Sequence, residues 1–396
     1  MRHNERWLAI ALAAAGAAAY LAFGWGADTS YDYYGRLAAA FVQGHWWLTE
    51  HPSWLNELLS CGPGRWCVAY PPLPAILTIP FLPFGSTALA QSLMSRVAGG
   101  VSAGPLYLGL RAYGAPRWVA VTGTVLSTLG TTLLFSSSDG RAWYAAHAVA
   151  VPLTCVAFWL AARGGPGWGI GVAVGLAALA RLPVAAATPA LALLAARRGG
   201  GPYLRVLSRI VLAGVPFALV YAGYDVLRWG TVFDEGYVRL AQGDVFFAYG
   251  LFSIMYLPRQ LYAIFLEPPD LVEGVPWFLR PRYKGMSLFF TTPPFLWVFA
   301  GLREVRRDAA VGATALAALL AFLPNMLHGT VGFAQFGYRF SLDAQPFLVA
   351  LALTGDAVAG GVWRRRPSWL FVIAVVLAIA INVYATIAII RYGYWQ

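Results

Sequence analysis

A chain of 396 residues that is 59% hydrophobic and only 11% charged, with a mean hydropathy of +0.62, is no ordinary soluble domain, in which about 25% of residues are charged. Its formal net charge of +11 is carried almost wholly by arginine, Lys284 being the single lysine. Most of these arginines sit in short loops, where positive residues fix topology and meet anionic lipid, so the charge does not point to nucleic acid. The apolar runs are continuous rather than alternating, which argues against a β-barrel. At about 20 residues per crossing they leave room for ten or eleven helices. The expectation is one all-α polytopic membrane domain over 1–396.

The first helix is expected over 7–25, with its N-terminus inside because Arg2 and Arg6 precede it. Its apolar run continues into Gly24-Trp25-Gly26-Ala27-Asp28, a poor cleavage site, so it reads as a membrane helix rather than a removed signal. A polar stretch over 26–84 follows and reads as the first outer loop. Within it, 31–43 and 73–84 have helical texture but are short for crossings, as helices lying in the interface would be. Trp46, Trp47, Trp54 and Trp66 suit that depth. Cys61 and Cys67 bracket Gly-Pro-Gly-Arg-Trp, a pair that closes a disulfide if that side is oxidising. A zinc site is the weaker reading, since no second pair or nearby His completes it.

Further crossings are expected over 88–110, 118–135 and 143–162. The apolar stretch 167–196 is too long for one helix and too short for two. Pro183 removes a backbone donor there, so two shortened helices are expected to meet near Arg181-Leu182-Pro183. A basic loop over 197–209 and a helix over 208–227 lead to a second large outer loop over 228–285. Helices over 286–302, 309–327, 340–359 and 368–390 complete an eleven-span path. Fifteen of the 28 Arg and Lys residues fall at its inner ends, and the outer thirteen lie mostly in the long loops.

The outer side collects the polar residues. Asp28 and Asp32 open the first loop, as an interfacial cap and a solvated face or as functional acids. Arg181 sits inside an apolar stretch at a cost of at least about 2.5 kcal/mol unless it finds a partner. That partner is either a helix carboxylate or an anion such as phosphate, which a guanidinium beside freed backbone groups suits. Arg141 and His147 open the helix at 143, where Asp139 is a candidate cap. The second loop holds Asp234 and Glu235 in RWGTVFDEGY, and Arg282 and Lys284 in PRYKG. Arg339 and Asp343 are four residues apart, the spacing of an ion pair on one helix face. There is no P-loop, HExxH, nucleophile elbow or dinucleotide fingerprint, which argues against ATP-driven work.

The order of these features resembles the GT-C superfamily of membrane glycosyltransferases, which includes protein O-mannosyltransferases and the aminoarabinose transferase of lipid A. The resemblance rests on Asp28 just after the first helix and on a first outer loop ending in YPPLPAILTIPFLPFG, which begins at Tyr70. It rests also on the GLAALARLPVAAATP break, on RWGTVFDEGY and on GFAQFGYRFSLDAQPF. It implies inverting transfer of a sugar from a polyprenyl-phosphate carrier to a glycan, lipid or protein hydroxyl on the outer face of a bacterial inner membrane. Asp28 would be the general base and Arg181 would hold the donor phosphate. Beside them Arg339 is a further candidate for the phosphate, and Asp32, Tyr70, Arg141, His147, Glu235 and Lys284 are candidates to line the substrate or support the residues that do. SSDGR carries one acid where the family has an Asp-X-Asp pair, so no clear motif supports a divalent metal. The competing reading is a secondary transporter or a non-catalytic lipid-handling protein, since broken helices with a buried arginine occur there too.

Overall fold

A computed structural model describes residues 3–272, 279–282, 284–359 and 361–394. The protein is almost wholly helical, its only sheets among the described residues being three two-stranded hairpins. Five helices are long and apolar enough to cross a membrane: α1 (His3–Phe23), α8 (Ala142–Ala162), α11 (Tyr203–Trp229), α16 (Ala309–Met326) and α18 (Trp369–Tyr392). Two bent pairs raise the number to seven if each is one crossing. The first is Leu73–Phe84 with Thr87–Tyr113, which holds α3 (Leu73–Thr78), α4 (Thr87–Val101) and α5 (Ala103–Tyr113). The second joins α6 (Arg117–Leu129) to α7 (Leu133–Asp139). On α11 and α18 the large apolar side chains at Leu204, Leu212, Leu219, Trp369, Ile373 and Val376 face outward, as a lipid-facing surface requires.

The stretch over 26–84 contains the two short helices expected within it. It holds α2 (Tyr33–Val42), a hairpin of β1 (Leu58–Gly62) and β2 (Arg65–Val68), and α3 continued by a 3-10 turn over Ile79–Phe84. A Cys61–Cys67 disulfide closes the hairpin. The break near Arg181 is also present. Helix α9 (Trp168–Ala178) ends, Arg181 takes an extended backbone, and a 3-10 turn over Leu182–Ala187 leads into α10 (Thr188–Ala195). The second outer loop holds α12 (Glu235–Ala241), α13 (Leu257–Phe265) and the hairpin of β3 (Asp270–Leu271) and β4 (Leu279–Arg280); its residues 273–278 and 283 lie outside the described residues.

Two expected helices differ. The one over 286–302 is broken into α14 (Leu288–Thr291), a 3-10 turn and α15 (Trp297–Gly301), because Pro293 and Pro294 withhold two backbone donors. The one over 340–359 begins as a 3-10 turn over Arg339–Ala344 and becomes α17 (Gln345–Ala357), which is buried almost all round and followed by the β5 (Val358–Ala359) and β6 (Val362–Trp363) hairpin.

Helices α1 and α4 cross backbone to backbone. A Cβ on Gly100 would lie 2.3 Å from the Ala17 nitrogen, and one on Gly16 would lie 2.5 Å from the Gly100 oxygen. Small residues at a membrane crossing permit such approach and its dispersion gain. Gly100→Leu is therefore expected to lower the thermal midpoint in detergent, by an amount corresponding to at least about 1–3 kcal/mol. Gly223→Leu on α11, where a Cβ meets nothing within 4 Å, should leave the midpoint unchanged. Equal midpoints for the two variants would contradict the crossing.

Candidate functional site

Three distant parts of the chain meet at Arg181. Its Nε donates to Asp343 Oδ1 at 3.2 Å, and its Nη2 donates to Asp343 Oδ2 at 2.6 Å and to Asn325 Oδ1 at 3.2 Å. Asn325 Nδ2 donates in turn to Asp343 Oδ2 at 2.9 Å, and His147 Nδ1 on α8 lies 3.2 Å from Asp343 Oδ1. The buried arginine has thus found a carboxylate in a two-point fork. The Arg339–Asp343 pair suggested by their spacing does not form. The segment is a 3-10 turn of three residues per turn, so positions four apart point in different directions, and Asp343 turns to Arg181.

Among the described residues Arg339 has no acidic partner in contact. Its Nη1 donates to the Phe333 carbonyl at 2.8 Å and to Gln335 Oε1 at 3.3 Å, and its buried Nε has no partner among the described residues. Both guanidiniums lie against the ring of Phe340, Arg181 at 5.4 Å and Arg339 at 5.1 Å from its centroid. Two cations therefore lie against one ring, and among the described residues the carboxylate in contact, Asp343, bonds Arg181 alone of the two. The local potential registers on His328, just beyond α16. Burial, with Arg181, Arg339 and Arg259 nearby, pulls its imidazole down to about 4 against a backbone bond to Thr330, so it is neutral at pH 7.

Aromatic side chains wall this positive region. Tyr34 on α2 and Tyr237 on α12 interact electrostatically with Arg181. Tyr70 packs its ring against Tyr33, Tyr34 and Tyr237 at 5.6, 5.9 and 6.1 Å. The Tyr34 and Tyr70 hydroxyls are buried with no hydrogen-bond partner among the described residues. Unpaired buried hydroxyls near a buried guanidinium are groups an oxygen-rich ligand would satisfy.

A carboxylate that no motif marked also faces this region. Glu57 stands between Leu55 and Leu58, both buried in the cluster that holds Tyr33, Tyr34 and Tyr70, and this pins it at the mouth of the β1–β2 hairpin. Its backbone N–H donates to the Tyr33 hydroxyl at 3.1 Å, and its Oε2 accepts from Trp143 Nε1 at 2.7 Å. Burial pushes its carboxyl up to about 7, against the lowering effects of the Trp143 bond and of Arg339. Glu57 and Arg339 interact at a distance but make no ion pair within 4.0 Å.

The other expected residues are placed as follows. Asp28 is exposed, with Arg96 its electrostatic neighbour, and among the described residues no hydrogen bond or ion pair joins it to Arg181. Asp32 is buried and structural in its contacts, accepting from Arg36 Nε at 2.9 Å and Thr87 Oγ1 at 2.5 Å. Arg141 lies 3.2 Å from Asp139 and over Tyr31, in the layer that also holds Trp143. Glu235 pairs with Arg239 within α12, and Lys284 is exposed with its carbonyl accepting from Gln335. Among the described residues no group of three or more His, Cys, Asp and Glu side chains is placed to hold a metal.

Two measurements check this geometry. Arg181→Gln should destabilise by about 3–5 kcal/mol, since it strands a buried carboxylate, and adding Asp343→Asn should recover most of that loss. Additive losses in the double variant would refute the pairing. Burial holds the Glu57 carboxyl above its ordinary value of 4.5, so its ionisation opposes folding as pH rises from 4.5 through 7. Glu57→Gln should therefore raise the thermal midpoint at pH 8, by at most about 3 kcal/mol in stability, and leave it nearly unchanged near pH 4.5. A pH-independent effect would show that Glu57 is ordinarily solvated. Against protein-family models, curated proteins and solved structures the chain finds no match, so the chemistry of this site is argued from its own geometry.

Proposed function

We propose that the chain is an inverting glycosyltransferase that moves a sugar from a polyprenyl-phosphate carrier to an acceptor hydroxyl at the outer membrane face. The observation that carries this reading is the pair Arg181 and Arg339 against Phe340, for which the described residues supply one contacting carboxylate, Asp343 on Arg181. A cation pair held in a water-poor site is stabilised by an added anion, and a guanidinium suits the oxygens of a phosphate. An alkyl phosphate leaves as an anion, so fixed cations stabilise its departure and no general acid is required. The proton of the acceptor hydroxyl goes to a carboxylate of the first outer loop.

In this reading the chain is a GT-C-like bundle that crosses a bacterial inner membrane about eleven times, N-terminus inside and C-terminus outside. The arginine distribution supports that path, as do the short or broken helices α9, α10 and α17, which would cross within protein rather than against lipid. The interfacial helices α2 and α3 would form the entry side for a lipid-linked donor and a glycan, lipid or protein acceptor.

Reconstitution in liposomes with labelled polyprenyl-phosphate sugars tests this. The wild type should consume at least one such donor. Arg339→Gln should fold normally, because among the described residues no carboxylate in contact with it is left unpaired, and should bind donor about ten- to a hundredfold more weakly. Undiminished donor binding by Arg339→Gln, or donor-independent flux of a small solute, would contradict the proposal.

A further inference from the structure

Resting on the transferase reading, we infer that Glu57, rather than Asp28, is the residue that takes the proton from the acceptor hydroxyl. The reaction needs a carboxylate that touches the acceptor while the donor phosphate lies on the arginines. Glu57 meets the positional demands. One oxygen is anchored by Trp143, and the other has no hydrogen-bond partner among the described residues. Its backbone is fixed by the Tyr33 hydroxyl, and buried leucines on both sides hold the loop. Arg339 is near enough to act on it electrostatically, yet the two make no ion pair, so the carboxylate is not committed to the arginine. Asp28 has neither the burial nor an interaction with either arginine of the pair.

The step balances without a co-reactant. The acceptor oxygen attacks the anomeric carbon from the face opposite the phosphate and passes its proton to the free oxygen of Glu57. The carbon–oxygen bond to the phosphate breaks, its electron pair leaves with the polyprenyl phosphate, and Arg339 and Arg181 hold the resulting charge. Glu57 then releases the proton to the outer aqueous face.

A base must be ionised to act, and one that titrates near neutrality is matched to that task. The groups facing Glu57 are Trp143 from α8, Arg339 from the 3-10 turn before α17, Tyr33 from α2 and Tyr237 from α12. Arg339 lowers its pKa and burial raises it. A bound donor phosphate adds a like charge and raises it further. The kcat/KM profile should rise with unit slope to a plateau above about pH 7, and the kcat limb should lie at higher pH.

The test uses full-length protein in liposomes with a labelled polyprenyl-phosphate sugar. Glu57→Gln should bind donor as the wild type does and transfer to the hydroxyl acceptor at least a hundredfold more slowly, without the acidic limb. Azide, a nucleophile with no proton to lose, should restore sugar release from the Glu57→Gln protein. Trp143→Phe keeps the carboxylate but removes the bond that lowers its pKa, so it should shift the limb upward. Asp28→Asn should keep both rate and limb. Wild-type transfer with an equally active Glu57→Gln, or loss of the limb in Asp28→Asn alone, overturns the assignment and leaves the transferase reading standing. A wild type that moves no sugar from any polyprenyl-phosphate donor overturns both.

Discussion

The candidate site depends on how a guanidinium is accommodated inside an apolar stretch. Arg181 arrives where a helix has been broken, and it is neutralised by Asp343 from a segment 162 residues further along. That pair is not an isolated contact. Asn325 ties the same carboxylate to α16, and His147 ties it to α8, so one buried acid binds three helical elements and the break together. Because a buried charge left unpaired costs several kcal/mol, the four elements are constrained to arrive together.

The consequence is an imbalance next to the pair. With Asp343 committed to Arg181, Arg339 has carbonyl and amide oxygens but no acid in contact among the described residues, and both guanidiniums lie against Phe340. The first outer loop then supplies what this region lacks. Its tyrosines present unpaired hydroxyls, and its hairpin, closed by the Cys61–Cys67 disulfide, presents Glu57. The disulfide is a brace in this arrangement. It steadies a short two-stranded element, marginal by itself, that stands over the positive region.

Much of the frame was legible from the sequence, and the reasons are physical. Long apolar runs announce α1, α8, α11, α16 and α18 because lipid enforces hydropathy over a whole crossing. Pro183 announced the break at Arg181 because it removes a backbone donor. The paired prolines at 293 and 294 carried the same signal, and the expected helix over 286–302 overlooked it. Pairing was harder to read. The spacing of Arg339 and Asp343 suggested an ion pair, but spacing predicts contact only if the segment is an α-helix, and here it is a 3-10 turn. Asn325 was a missed signal, since an amide inside an apolar run needs a partner. Glu57 had no signal at all. It lies in a loop without a motif, and its environment is made by Trp143, Tyr33 and Arg339, residues 86, 24 and 282 positions away. Desolvation by distant parts of the chain leaves no local pattern to find.

The central claim is that the Arg181–Arg339 pair is a seat for a lipid-linked phosphate. An experimental structure with a polyprenyl monophosphate bound in a lipid nanodisc tests it most directly. The account predicts phosphate density at the ring of Phe340, in contact with Arg339 and with the Arg181 nitrogen that Asp343 and Asn325 leave free, and the prenyl chain leaving toward the interfacial helices. Phosphate density elsewhere, with Arg339 still turned to Phe333 and Gln335 and only water beside it, would contradict the account.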